Sequence, residues 1–143
     1  MHAQFLLVFM GWLLILGACV LAWRLGGQAE RQVAVLVLTM SLAITLIAML
    51  PNREFQRLSY LLVDGLFGAG LMILAVRHTV AWLGIAVLLQ AVQFALHAYY
   101  LVAAKAYDDL YALANNLISL GVLICLLVGT LLAWRRRRRA QAK

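Results

Sequence analysis

Five long apolar runs follow one another along the chain, at residues 5–23, 33–50, 58–76, 80–104 and 110–134. Each reaches or approaches the roughly 20 residues that an α-helix needs to cross a bilayer. Polar breaks separate them: residues 24–32, which contain Gly26 and Gly27; residues 51–57, opened by Pro51; residues 77–79; and residues 105–109. Glycine pairs and proline punctuate helices, so the pattern predicts five spanning helices joined by short turns. Within lipid every backbone polar group needs a partner inside the segment, and a helix supplies it. The expected organisation is one transmembrane helical domain, residues 1–134, followed by a basic tail, residues 135–143, with no room for a soluble domain.

Two other readings of these runs compete. If residues 58–76 only dip into the membrane, four spans remain. Asp64 is the only charge in that run, so the segment inserts readily, and a re-entrant path breaks the sorting of aromatic rings described below. Leu16-Gly17-Ala18-Cys19 looks like a lipoprotein-type cleavage box. Residues 1–5, however, lack the positive n-region of a signal peptide.

Composition changes the picture by exclusion. Of 143 residues, 66% are hydrophobic and 12% charged, with a mean hydropathy of +0.98. Soluble domains are about 45–50% apolar and about 25% charged, and a chain this short lacks the interior to hide the excess. Soluble enzymes, nucleic-acid readers and disordered tails are thereby excluded. Cys19 and Cys125 lie inside apolar runs and form no CxxC pair, which argues against a disulfide scaffold or a redox exchanger.

Charge sets the expected orientation, because cytoplasmic flanks are enriched in Lys and Arg. One side of a five-span topology collects Arg24, Arg31, Arg77, Lys143 and the run Arg135, Arg136, Arg137, Arg138 and Arg139. The other holds Arg53, Arg57 and Lys105, together with Glu54, Asp108 and Asp109. The N-terminus is then outside and the C-terminus inside. The same topology sends Trp23, Trp82 and Trp134 to the inner interface and Tyr60, Tyr99, Tyr100, Tyr107 and Tyr111 to the outer one, the headgroup levels that amphipathic rings prefer.

Small residues allow close helix approach in membranes. They recur as Ala18 and Ala22, as Gly65, Gly68, Ala69 and Gly70, and as Ala91, Ala95 and Ala98. General bundle packing accounts for them; a dimer contact is the sharper alternative.

Polar residues inside the runs are not scattered. Gln90, Gln93, His97 and Tyr100 recur at helical spacing on one face of the fourth run. Tyr60, Asp64 and Gly68 align on the third run, and Tyr111, Asn115 and Ser119 on the fifth, with Asn116 beside them. Counted inward from the outer ends, Asp64, His97 and Asn115 all lie roughly 8–11 Å deep. Three helices thus bring a carboxylate, an imidazole and carboxamides to one level. Thr39, Ser41 and Thr45 of the second run offer hydroxyls deeper in. Intramembrane ionisable residues usually face the bundle interior. A facing Asp64 and His97 would pass a proton, bind a cation, or hold a polar headgroup or quinone carbonyl. The alternative is plain hydrogen bonding between helices.

Several chemistries are disfavoured. Only His97 lies well inside a run, so a haem with two histidine ligands lacks its second. Both cysteines lie toward the inner half, away from His97, so no metal-ligand set forms and no cofactor is expected. No serine, histidine and aspartate make a convincing hydrolase site. The first run has no acid, unlike small multidrug exporters. The arginine run is expected to anchor topology and to bind anionic lipid headgroups, each cation contributing about 1 kcal/mol. It also resembles the basic tail of holins, although five tightly looped spans fit that group poorly.

From Leu61 to Thr130 the chain resembles small multi-pass inner-membrane proteins of alphaproteobacteria. The residues that carry this are Val63-Asp64-Gly65, Trp82-Leu83-Gly84, the stretch from Gln90 to His97, the stretch from Asn116 to Ser119, and Gly129-Thr130. The resemblance implies a bacterial inner-membrane location and no particular chemistry. Function is expected to be that of a non-enzymatic accessory or assembly subunit of a larger membrane complex. A proton- or cation-coupled carrier or channel is the first alternative, and a quinone- or lipid-binding enzyme the second. Expected partners are membrane lipids and other membrane subunits or a second copy, and no nucleic acid.

Overall fold

The computed structural model describes residues 2–142, with side chains from residue 8 onward. They form five α-helices: α1 (His2–Leu25), α2 (Gln28–Ala48), α3 (Arg53–His78), α4 (Ala81–Val102) and α5 (Asp109–Gln141). No strand occurs among the described residues. All five helices are long and apolar enough to cross a membrane. Helix α3 runs unbroken through the segment that a re-entrant path would interrupt.

The helices are longer, and the turns shorter, than the polar breaks suggest. Residues 24–32 read as a loop, yet only Gly26 and Gly27 stand outside a helix there. The residues after Gly27 are good helix formers, and Glu30 turns back so that Oε2 accepts the Gly27 N–H at 2.7 Å, supplying the N-terminal partner that a new helix requires. A side chain at Gly26 would collide with the Ala22 carbonyl. The second break closes to residues 49–52. There Asn52 Oδ1 accepts from the N–H groups of Glu54 and Phe55 at 3.0 and 3.2 Å, while Gln56 Nε2 donates to the Ile47 and Ala48 carbonyls that end α2. Residues 79–80 join α3 to α4, and residues 103–108 join α4 to α5. The arginine run is no loose tail: Arg135 to Arg139 continue α5, and cations in its last turn complement the negative end of the helix dipole.

Helices α2 to α5 form an up-down-up-down bundle in which each touches its neighbours and α5 meets α2. Helix α1 packs into the groove between α2 and α5. Two ends result. The arginine end carries the α1–α2 and α3–α4 turns and the close of α5. The tyrosine end carries the other two connections.

The interior changes character along the bundle axis. Its arginine half is largely apolar and made of small and branched residues, among them Ala18, Ala22, Val33, Ala34, Leu71, Leu83, Ala86 and Leu126; the buried polar side chains there, Glu30 and Thr130, bond to main chain. Trp82 belongs to this core, only 6% exposed, and the indole lies so close over Gly129 that a methyl group there would overlap the ring. It is not an interface anchor, in contrast to Trp23, which is 55% exposed. The tyrosine half of the interior is polar. Outside, α3 to α5 present a belt of exposed apolar side chains, including Leu62, Ile73, Leu88, Val92, Leu113 and Leu117. An apolar exterior around a partly polar interior suits a hydrocarbon solvent.

Candidate functional site

Helical spacing places the polar side chains of α4 in one column. Trp82, Leu83 and Ala86 occupy its lower part, and Gln90, Gln93, His97 and Tyr100 its upper part, all buried. Asp64, 2% exposed, faces this column from α3. The Asp64 carboxylate oxygen Oδ2 contacts His97 Nδ1 directly. Gln90 Nε2 reaches Asp64 Oδ1 at 3.3 Å and the Asp64 carbonyl at 3.5 Å. Gly68 on α3 faces Gln90, and a methyl group there would make ordinary van der Waals contact with Gln90 Cγ at 3.5 Å. One layer toward α5, Gln93 Nε2 donates to Asn115 Oδ1 at 3.0 Å.

Aromatic rings enclose the imidazole. Tyr60 stacks over His97 at 6.4 Å, while Tyr111 and Tyr107 stand edge-on at 5.3 and 6.3 Å. Tyr107 and Tyr111 stack on each other at 4.0 Å. The Arg57 guanidinium covers Tyr107 at 4.7 Å and bonds the Lys105 carbonyl, which ties α3 to the α4–α5 connection. Four of the five tyrosines assigned to a lipid interface therefore form an internal cap over the site. Tyr99 alone is 55% exposed, and it accepts a hydrogen bond from Lys105 Nζ at 2.9 Å.

Not every candidate converges on Asp64. The Tyr100 hydroxyl donates to Asp108 Oδ1 at 2.7 Å, and the same oxygen accepts the Tyr111 N–H at 2.8 Å at the start of α5. These bonds hold the Asp108 carboxyl below its ordinary value of 3.8, with the backbone N–H the larger cause. Asn116 is exposed, one residue and about 100° around α5 from Asn115, and lies outside the cluster. Thr39 and Thr45 bond back to the Val35 and Ser41 carbonyls of their own helix. Sequence spacing aligned Tyr111 with the polar stripe of the fifth run and overlooked Tyr107. Tyr111 shares a face with Asn115, a signal that was present, whereas Tyr107 sits on a connection where no periodicity operates.

Below the pair lies a partly open cavity of about 80 Å³, bordered by Asp64, Gln90, Gln93, Ser41 and Ser119 and otherwise lined mainly by apolar side chains. Gln90 is fully buried, and Oε1 has no hydrogen-bond partner among the described residues. The amide turns its donor end to Asp64, and the acceptor end is left over. The volume suits a few waters or one small cation. It is far below the roughly 300 Å³ at which organic-ligand sites begin.

The arrangement has a defined acid–base logic. Nδ1 is committed to the carboxylate, so Nε2 is the nitrogen left to exchange a proton. Imidazolium beside carboxylate is neutral as a pair; loss of one proton leaves a single negative charge inside the bundle. Comparison with family models, curated proteins and solved structures finds no match.

Proposed function

We propose that this chain is a proton-handling membrane protein, a proton- or cation-coupled carrier or channel of the bacterial inner membrane with its arginine end in the cytoplasm. One observation carries this: Asp64 and His97, from two helices, meet in the interior with the imidazole enclosed by Tyr60, Tyr107 and Tyr111. Proton relays in membrane proteins are built from such carboxylate and imidazole groups. The small cavity beyond Gln90 supports a proton or bare cation as the transferred species over an organic solute.

The test is proton movement in vesicles. Full-length protein in liposomes enclosing a pH-sensitive dye is driven by a potassium diffusion potential. Proton entry above protein-free vesicles is expected, falling at least tenfold in Asp64→Asn and His97→Gln. Equal flux in the wild type, both variants and empty vesicles would overturn the proposal.

A second reading, an accessory or assembly subunit, is favoured by Asn116. Its amide is exposed on α5 between the exposed side chains of Leu113, Leu117 and Leu120. A polar group facing lipid gains from a partner helix. Stoichiometric co-purification that is lost in Asn116→Leu and untouched by Asp64→Asn would support this reading in place of the first.

A further inference from the structure

A second cavity lies away from the Asp64–His97 pair. It is a groove of about 620 Å³ at the arginine end, between α2 and α3. Its walls are apolar, from Val35 and Leu36 on one side and Ile73 and Leu74 on the other. Its head is cationic and aromatic, formed by Arg31, Arg137 and Trp23. Arg31 lies 5.8 Å over the Trp23 ring. Arg137 reaches back from the last turns of α5 to bond the Gly26 carbonyl, and this places its guanidinium at the groove. Neither arginine has a carboxylate within ion-pair distance among the described residues. Glu30, next to Arg31, is turned onto the Gly27 N–H.

We infer that this groove is a binding site for one anionic glycerophospholipid. Arg31 and Arg137 take the phosphate, Trp23 sits at the level of the glycerol, and an acyl chain lies along α2 and α3. Charge and shape agree on this occupant. Two unpaired guanidinium groups attract an anion, since Arg matches phosphate geometry. The apolar groove below them runs from Arg31 to Thr39, roughly 12 Å along the helix, most of the ~15 Å that one leaflet's hydrocarbon provides. The other arginines contribute differently. Arg138 covers the Trp134 ring at 4.3 Å, and Arg135, Arg136 and Arg139 are exposed and do not line the groove. The site lies at the opposite end from Asp64 and is independent of the proposed proton chemistry.

The test uses the full chain in neutral detergent and native mass spectrometry. The probes are dioleoylphosphatidylglycerol, dioleoylphosphatidylcholine and glycerol 3-phosphate. One phosphatidylglycerol per chain is expected to survive transfer, while the neutral lipid and the chain-free phosphate do not. Arg31→Gln and Arg137→Gln should each weaken retention about fivefold, the equivalent of about 1 kcal/mol per cation. Ile73→Trp, which fills the groove at unchanged charge, should weaken it as well, and Arg135→Gln with Arg139→Gln should not. Equal retention of phosphatidylcholine, retention of glycerol 3-phosphate, or a larger loss from Arg135 and Arg139 than from Arg31 would overturn the site. Lipid-free melting temperatures report folding. If Arg137→Gln lowers its own, the comparison of Arg31→Gln with Ile73→Trp decides.

Discussion

At the residue scale, Asp64 and His97 define the energetics of the interior. Hydrogen bonds between membrane helices contribute about 0.6 kcal/mol on average. A buried carboxyl and imidazole in direct contact are a different case, because deleting one partner of a buried charged pair costs about 3–5 kcal/mol. Asp64→Ala and His97→Ala should therefore each lower stability by about 3 kcal/mol. The double variant should cost less than the sum of the two. Steric-trap or reversible detergent unfolding measures this cycle; additivity within about 0.5 kcal/mol would mean uncoupled residues. Gln90 belongs to the same unit, since its amide donates to the Asp64 carboxylate and main chain.

At the element scale, helix ends decide where the site is held. The start of α5 is tied to the end of α4 through Asp108, which accepts from Tyr111 N–H and the Tyr100 hydroxyl. This carboxyl sits below its ordinary value of 3.8. A carboxyl lowered by folding contributes stability that is fully present above the unfolded value and lost as pH falls through the folded one. Acid should therefore loosen the α4–α5 connection as pH drops below 3.8. Amide hydrogen exchange at Tyr111 should rise over that window, and Asp108→Asn should remove the pH dependence while keeping a side-chain cap. Unchanged exchange of Tyr111 down to the acid limit would refute the assignment.

At the scale of the whole molecule, the two ends differ in kind. Arg24, Arg31, Arg77 and the arginines that close α5 share one end, and Arg53, Arg57 and Lys105 share the other. The excess predicts an N-out, C-in insertion. A reporter fused after Lys143 should be active only in the cytoplasm, and one inserted within residues 103–108 only in the periplasm. Alanine at Arg135 through Arg139 should produce mixed orientation. A periplasmic C-terminus in the wild type would reverse the assignment.

Hydrophobic run length alone determined the class, the number of helices and their order, because a bilayer requires about 20 apolar residues per span and bonded backbone throughout. Helical periodicity also placed Gln90, Gln93 and His97 on one face, since 3.6 residues per turn is a local property. Other features were set by packing. Nothing local to Asn116 distinguishes it from Asn115; the rotation of α5 against α4 turned one inward and the other to the exterior. Tyrosines read as a lipid belt became a cap over His97 because Arg57 and the Asp108 bonds draw the α4–α5 connection across the bundle. Trp82 moved from interface to core because Gly129 leaves room for its ring on the neighbouring helix. The groove at Arg31 gains its second arginine because α5 extends far enough to bring Arg137 back to the α1–α2 turn. Spacing along a chain reports which side chains share a helix face. Which faces meet depends on how side chains of different helices fit together, and that is settled only when the bundle closes.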